Sequence, residues 1–330
     1  MDWWNEFVSS SPLYNSENEN EKLQLVDEIA SYPTFLPTDY ILNTFLPLVL
    51  LTAVTLTIIY NVSYAYLIQY ILPSPISSIT KLDKSKTAYQ ITNCCFNVIV
   101  GCVGLYQHYV VIPKLHHTND TNTTNDNDTN DDNSLWILTV IGYHVELYHV
   151  AAIQLGYQIF VLPICILVIG EKIEMIYHHV AVVISSSTSG LLYIGFRYYI
   201  PYFYGIFELS SIPLSIMNHM KLHSETLQKQ HPTLFFYSRN IFALSFIVIR
   251  VILSPAPKFL RDLFFVMYTM KNNDNGYTTY YLKLYLFIQW CFSFYLQLLQ
   301  LYWTTLIVKG FLKVLLIGGG GSSKDKKKQK

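Results

Sequence analysis

Charge is scarce in this sequence. Only 13% of its 330 residues are Asp, Glu, Lys or Arg, where a soluble domain carries about 25%. With 52% hydrophobic residues and a mean hydropathy of +0.28, the chain reads as a bilayer resident. Its basic and acidic residues cancel to a net charge of +0, so the positive excess that nucleic-acid binding needs is missing. Cysteines are few and badly placed for a secreted framework. All five (Cys94, Cys95, Cys102, Cys165 and Cys291) fall in apolar stretches, which implies no disulfide scaffold. The start, Met1-Asp2-Trp3-Trp4-Asn5-Glu6, lacks the basic region and small-residue cleavage site of a secretory signal. Insertion is expected to rely on the first span.

Apolar runs are what the chain has in quantity. A helix needs about 20 mostly apolar residues to cross roughly 30 Å of hydrocarbon, and such runs lie at residues 44–68, 89–112, 151–170, 176–195, 199–219, 234–254 and 281–307. The expectation is an all-α, polytopic membrane protein of about seven transmembrane helices. Tyr and Phe, 27 and 19 in number, gather near the ends of these runs, where amphipathic rings favour the headgroup zone.

Orientation follows from lysine placement. Lys81, Lys84 and Lys86 follow the first span, Lys172 the third, Lys221 and Lys229 the fifth, and Lys309 and Lys313 the seventh. Alternate loops are therefore basic, as cytosolic loops are. Residues 1–43 are then a lumenal amino-terminal segment, residues 44–80 the first span with its loop, and residues 81–312 the main membrane domain. The Asn/Asp/Thr-rich insert at 114–133 reads as a disordered lumenal loop, and it carries sequons at Asn119, Asn122 and Asn127. Lys258, Arg261 and Lys271 depart from the charge pattern, and an interfacial helix over 258–270 would hold them at the headgroups.

Residues 313–330 form a cytosolic tail with a flexible spacer, Gly318 to Ser323, and then a lysine run. Lys327 and Lys328 stand fourth and third from the end, the position of a dilysine retrieval signal read by coat proteins. Contact with anionic lipid is the plainer reading of such a run. Retrieval implies residence in the endoplasmic reticulum.

Ionisable groups at membrane depth are costly and are functional candidates by default. Glu208 lies inside the fifth run and Arg250 near the lumenal end of the sixth, where snorkelling to the interface is the structural alternative. His178 and His179 open the fourth run. Adjacent histidines point about 100° apart on a helix, so they suit a single base or hydrogen-bond anchor better than joint chelation. His144, Glu146 and His149 make a second polar cluster, read as a surface patch, and no metal site is expected. Pro163 and Pro213 are expected to kink their helices and open room between them.

Several of these residues resemble one family. Gly156-Tyr157, the His178-His179 pair, Phe207-Glu208-Leu209-Ser210-Ser211-Ile212-Pro213, Asn218, and Phe246 to Pro255 with Arg250 together look like the TLC-domain pattern, over roughly residues 81–312. The resemblance implies an all-helical domain of the endoplasmic reticulum that works on or near lipids, with ceramide synthases, a translocon-associated protein and proteins affecting phospholipid composition among its members. In the ceramide-synthase branch the fifth-span run is His-Asp-x-Ser-Asp. Here Phe207 replaces the His, Glu208 stands for the first Asp and Ser211 for the second.

The leading functional reading is a protein of membrane lipid homeostasis that binds or handles lipid, with Asn218 and Arg250 in a polar cavity and no cofactor. The alternative is an acyl-CoA-dependent acyltransferase of the ceramide-synthase type, with His178, His179 and Glu208 as catalytic candidates and acyl-CoA as co-substrate. A seven-span receptor is disfavoured, since no cysteine ties a lumenal loop. His179 and Glu208 are expected to share one cavity between antiparallel neighbouring helices, with an axial gap on the order of 10 Å.

Overall fold

The computed structural model describes residues 36–67, 81–114, 145–191, 198–222, 230–271 and 277–318, and these residues are helical with no strand among them. The chain begins with α1 (Thr38–Tyr66) and α2 (Leu82–Lys114). Next come α3 (Val145–Ile164, running on through Cys165–Ile169) and α4 (Ile173–Leu191). α5 is built from Tyr202–Ile206, Phe207–Leu209 and Ser211–Leu222, and α6 from Pro232–Ile247 and Val248–Ile252. α7 is Ala256–Lys271 and α8 is Tyr277–Gly318.

Local chemistry sets the boundaries. Gly170, in the left-handed region at φ 66°, ends α3, and the Glu171 N–H returns to the Cys165 carbonyl at 3.0 Å. Pro163 sits inside α3, which continues past it in a wider π turn. α5 is interrupted at Ser210, upstream of Pro213. Pro213 therefore falls in the first turn of the resumed helix, where its missing N–H costs little. At Leu253–Pro255 the chain leaves α6, and Ser254 Oγ accepts the Ala256 N–H at 3.3 Å to start α7.

Among the described residues, five stretches are long and apolar enough to cross a membrane: Thr38–Tyr66, Leu82–Lys114, Glu146–Ile169, Pro232–Phe264 and Lys283–Leu312. The protein is thus an all-helical, multi-pass membrane protein. The expected fourth and fifth spans, α4 and α5, fall short of that measure. α4 is long enough but too polar, carrying Ser185, Ser186, Ser187, Thr188 and Ser189, while α5 is broken at Ser210. Outward faces are apolar, as in Leu50, Leu51, Val54 and Ile58 of α1, all more than half exposed. Such faces suit contact with lipid.

The helices pack in an order different from their order in the chain. α2 lies against α3, α3 against α4, α4 against α8, α8 against α6, α6 against α5 and α5 against α2. That closes a six-helix ring. α1 lies outside it against α3 and α2, and α7 lies along α8. α4 and α5, consecutive in sequence, face each other across the ring rather than packing as neighbours. The expectation of a packed antiparallel pair is corrected on this point. A buried hydrogen bond of 2.7 Å, Tyr204 Oη to Ser185 Oγ, spans the gap between them.

The helix expected at 258–270 is present as α7, but its inner face is docked rather than free. Ala256, Phe259, Asp262 and Leu263 are buried, and Tyr199 donates to Asp262 Oδ2 at 2.6 Å. Arg261 pairs with the same carboxylate at 3.3 Å.

Candidate functional site

Inside the ring lie two chambers set end to end. The larger, about 340 Å³, sits where α4 begins and is lined by Asn93 and Asn97 of α2, Gln158 of α3, His178 and His179 of α4, Asn218 of α5 and Trp303 of α8. The smaller, about 80 Å³, sits where α4 ends and includes Ser185, Ser189, Tyr204 and Gln289. His178, Glu208 and Arg250 line both. These three mark the waist.

Arg250 is the best-connected of them. It sits on the π-helical segment Val248–Ile252 and is only 7% exposed. Its Nε donates to Ser210 Oγ at 2.7 Å, and Nη2 donates to the Phe207 carbonyl and to Ser211 Oγ, each at 3.0 Å. Nη1 reaches Gln300 Oε1 on α8 at 3.4 Å. Glu208 lies 3.9 Å away, and Ser211 bridges the two charges by donating to Glu208 Oε2 at 2.9 Å. The Phe207 and Phe246 rings each stand 5.3 Å from the guanidinium carbon, a favourable place for a cation. Snorkelling is ruled out for Arg250: α5 offers it a carboxylate, two hydroxyls and a carbonyl, and it turns inward.

α3 supplies the link between His179 and Glu208. His179 Nδ1–H donates to Gln158 Oε1 at 2.8 Å, so that Nε2 is the bare nitrogen whenever the ring is neutral. One turn earlier, Gln154 Nε2 donates to Glu208 Oε1 at 3.5 Å. Gln154 and Gln158 are four residues apart, roughly 6 Å along the helix, so α3 bridges the axial gap with two amides. His178 packs its ring against Trp303, with centroids 5.2 Å apart. Tyr157 stacks on Phe96 at 3.9 Å and donates to Asn93 Oδ1 at 3.3 Å, joining α2 to α3 beside the larger chamber.

The structure therefore brings His178, His179, Glu208, Asn218 and Arg250 to one interior space. Glu146 is exposed and His149 half-buried at the start of α3, away from that space, and His144 lies outside the described residues. So do the sequons at Asn119, Asn122 and Asn127 and the tail lysines Lys327 and Lys328. Sequence reasoning missed Gln154, Gln158, Asn93, Gln289 and Gln300. Uncharged amides were passed over in favour of ionisable groups, although amides too are costly in an apolar setting and Gln154 and Gln158 share one face of an apolar helix.

The ring α2 to α8 also delimits what is shared with known proteins. A family model described as the TLC domain matches residues 83–309, which begins inside α2 and ends inside α8. The chain belongs to the TLC-domain family. Its TLC domain takes in the ring together with α7 and leaves α1 outside the matched residues. Comparison with curated proteins finds no match at the level that would establish a relative.

Proposed function

We propose that this TLC-domain protein is an endoplasmic-reticulum component of membrane lipid homeostasis that binds a lipid with its polar group in the larger chamber. The observation that carries this reading is the convergence of His179, Glu208, Asn218 and Arg250, from three helices, on one buried polar space inside a lipid-facing bundle. A polar cavity enclosed by apolar helices suits an amphiphile. Residence in the endoplasmic reticulum rests on Lys327 and Lys328. The lumenal placement of the 114–133 loop, with its three sequons, rests on the alternation of basic loops.

One observation favours the acyltransferase reading as a second. With Nδ1 bonded to Gln158, His179 presents Nε2 as a base within the chamber that also holds Glu208. The two readings separate in one experiment. Microsomes containing the protein are given acyl-CoA and a long-chain base, and whole-cell lipids are compared with and without the gene. Altered phospholipid or sphingolipid classes without acyl transfer support lipid handling. Acyl transfer abolished by His179→Ala establishes the enzyme, and unchanged lipid classes reject both.

Changing Lys327 and Lys328 to Ser is expected to let the protein leave the endoplasmic reticulum. Fluorescence of an internally tagged protein against compartment markers checks this. Unchanged location would reduce the tail to a solvated charge run.

A further inference from the structure

The smaller chamber is a space of its own. Along α4, Met175, His178 and His179 face the larger chamber, and Val182, Ser185 and Ser189 the smaller. Along α8 the order is reversed, with Gln289, Ser293 and Gln297 on the smaller chamber and Trp303, Leu306 and Ile307 on the larger. α8 crosses the same level in the opposite sense. The chambers are therefore stacked along the bundle axis, with the Arg250 guanidinium and its partners between them. From His178 to Ser189 the smaller chamber extends roughly 16 Å.

We infer that the smaller chamber is a second ligand site, for a neutral single-chain amphiphile that ends in a hydroxyl group. Its two long walls differ. One is polar but already satisfied: Gln289 Nε2 donates to Ser185 Oγ at 3.0 Å and Ser189 Oγ at 3.3 Å, Thr188 bonds Gln289 Oε1, and Tyr204 bonds Ser185. The other is formed by Ile200, Phe203, Phe207, Phe259 and Leu260, an apolar surface for an alkyl chain. The polar wall asks nothing further of a ligand.

The floor does. Gln154 Oε1 and His178 Nδ1 are buried there without a hydrogen-bond partner, and Gln154 is only 1% exposed. Buried polar atoms left in this state are costly and call for an explanation. With His178 in its Nδ1–H tautomer a hydroxyl suits both, its O–H donating to Gln154 Oε1 and its oxygen accepting from Nδ1–H. An ammonium group has no lone pair to offer His178 and would lie beside the Arg250 charge. A carboxylate has no proton to offer Gln154 and would lie beside Glu208. The charged lining residues, Glu208 and Arg250, face each other, so a neutral end group leaves that pair undisturbed.

The test uses full-length protein in nanodiscs and a long-chain alcohol that carries a photoreactive diazirine, with cross-linked peptides located by mass spectrometry. Cross-links are expected on the 200–207 and 256–260 segments. Unlabelled alcohol should compete about tenfold or more better than the amine or the fatty acid of equal chain length, the loss of one hydrogen bond to a charged misfit being at least that large. Gln154→Leu should weaken labelling, and Ala256→Phe, which fills the chamber from its far end, should abolish it, with thermal melting confirming folded protein. Asn218→Leu, in the larger chamber, should leave the labelling in place even where it removes the lipid binding proposed above, so the two ideas fail separately. Equal competition by amine or acid overturns the inference, and this comparison needs no variant. Cross-links confined to the 210–218 segment, or labelling that survives both Gln154→Leu and Ala256→Phe in folded protein, overturn it as well.

Discussion

Arg250→Ala is expected to destabilise the protein by about 3–5 kcal/mol, the scale seen when one partner of a buried ion pair is removed. The loss would strand Glu208 beside the waist and leave Ser210, Ser211, the Phe207 carbonyl and Gln300 without the donor they share. Arg250→Lys should recover only part, because an ammonium group cannot fork to α5 and α8 together. Adding Glu208→Gln to Arg250→Ala should also recover part, since it removes the stranded charge. Melting temperatures in detergent check all three variants. A single variant that melts like the parent would show that the guanidinium does not hold the ring together.

The second large effect is expected where two backbones touch. A Cβ built on Gly104 of α2 would lie 2.6 Å from the Cα of Gly205 on α5 and 2.7 Å from the Pro201 carbonyl oxygen. One built on Gly205 would lie 2.6 Å from the Gly104 Cα and 3.2 Å from the Val100 carbonyl oxygen. Backbone cannot swing aside as a side-chain end can. Alanine at either position should cost about 1–3 kcal/mol as overpacking, and leucine should prevent the helices from meeting at all. Small residues serve membrane helices in this way because close approach replaces the hydrophobic drive that lipid removes. The readout is the yield of monodisperse protein and its melting temperature. Gly310, inside α8 with nothing within 4 Å of an added Cβ, is the control, and Gly310→Ala should cost nothing or stabilise slightly. Glu208 lies three residues after Gly205, so this contact also sets the depth of the waist.

The helical, multi-pass character and the family were legible in the sequence, because twenty-residue apolar runs and the His178-His179 and Phe207–Pro213 motifs are local features. The direction of Arg250 was not. Its neighbours in sequence are Ile and Val, and its position near a span end made the interface look close. What turns it inward belongs to α5, forty residues away. The replacement of a family His by Phe207 reads in sequence as lost chemistry, whereas in space the ring lies against the guanidinium. Ser211, where the branch signature has Asp, turns out to join Arg250 to Glu208 by one hydroxyl. The ring order was equally hidden, since a short connection between α4 and α5 implied neighbours and the serines of α4 gave no hint that Tyr204 would reach across.

That order has a consequence for biogenesis. Among the described helices α8 emerges from the ribosome last, and it touches both α4 and α6. Until it arrives, the earlier helices form an open arc whose serines, glutamines and Arg250 have a missing wall. Gln289 and Gln300 complete that wall, one bonding the serines of α4 and the other Arg250. A chain stopped before α8 would present unpaired polar groups to the bilayer, the feature by which membrane quality control recognises unfinished proteins. Emergence of α8 and closure of the polar interior are thus one event in this fold.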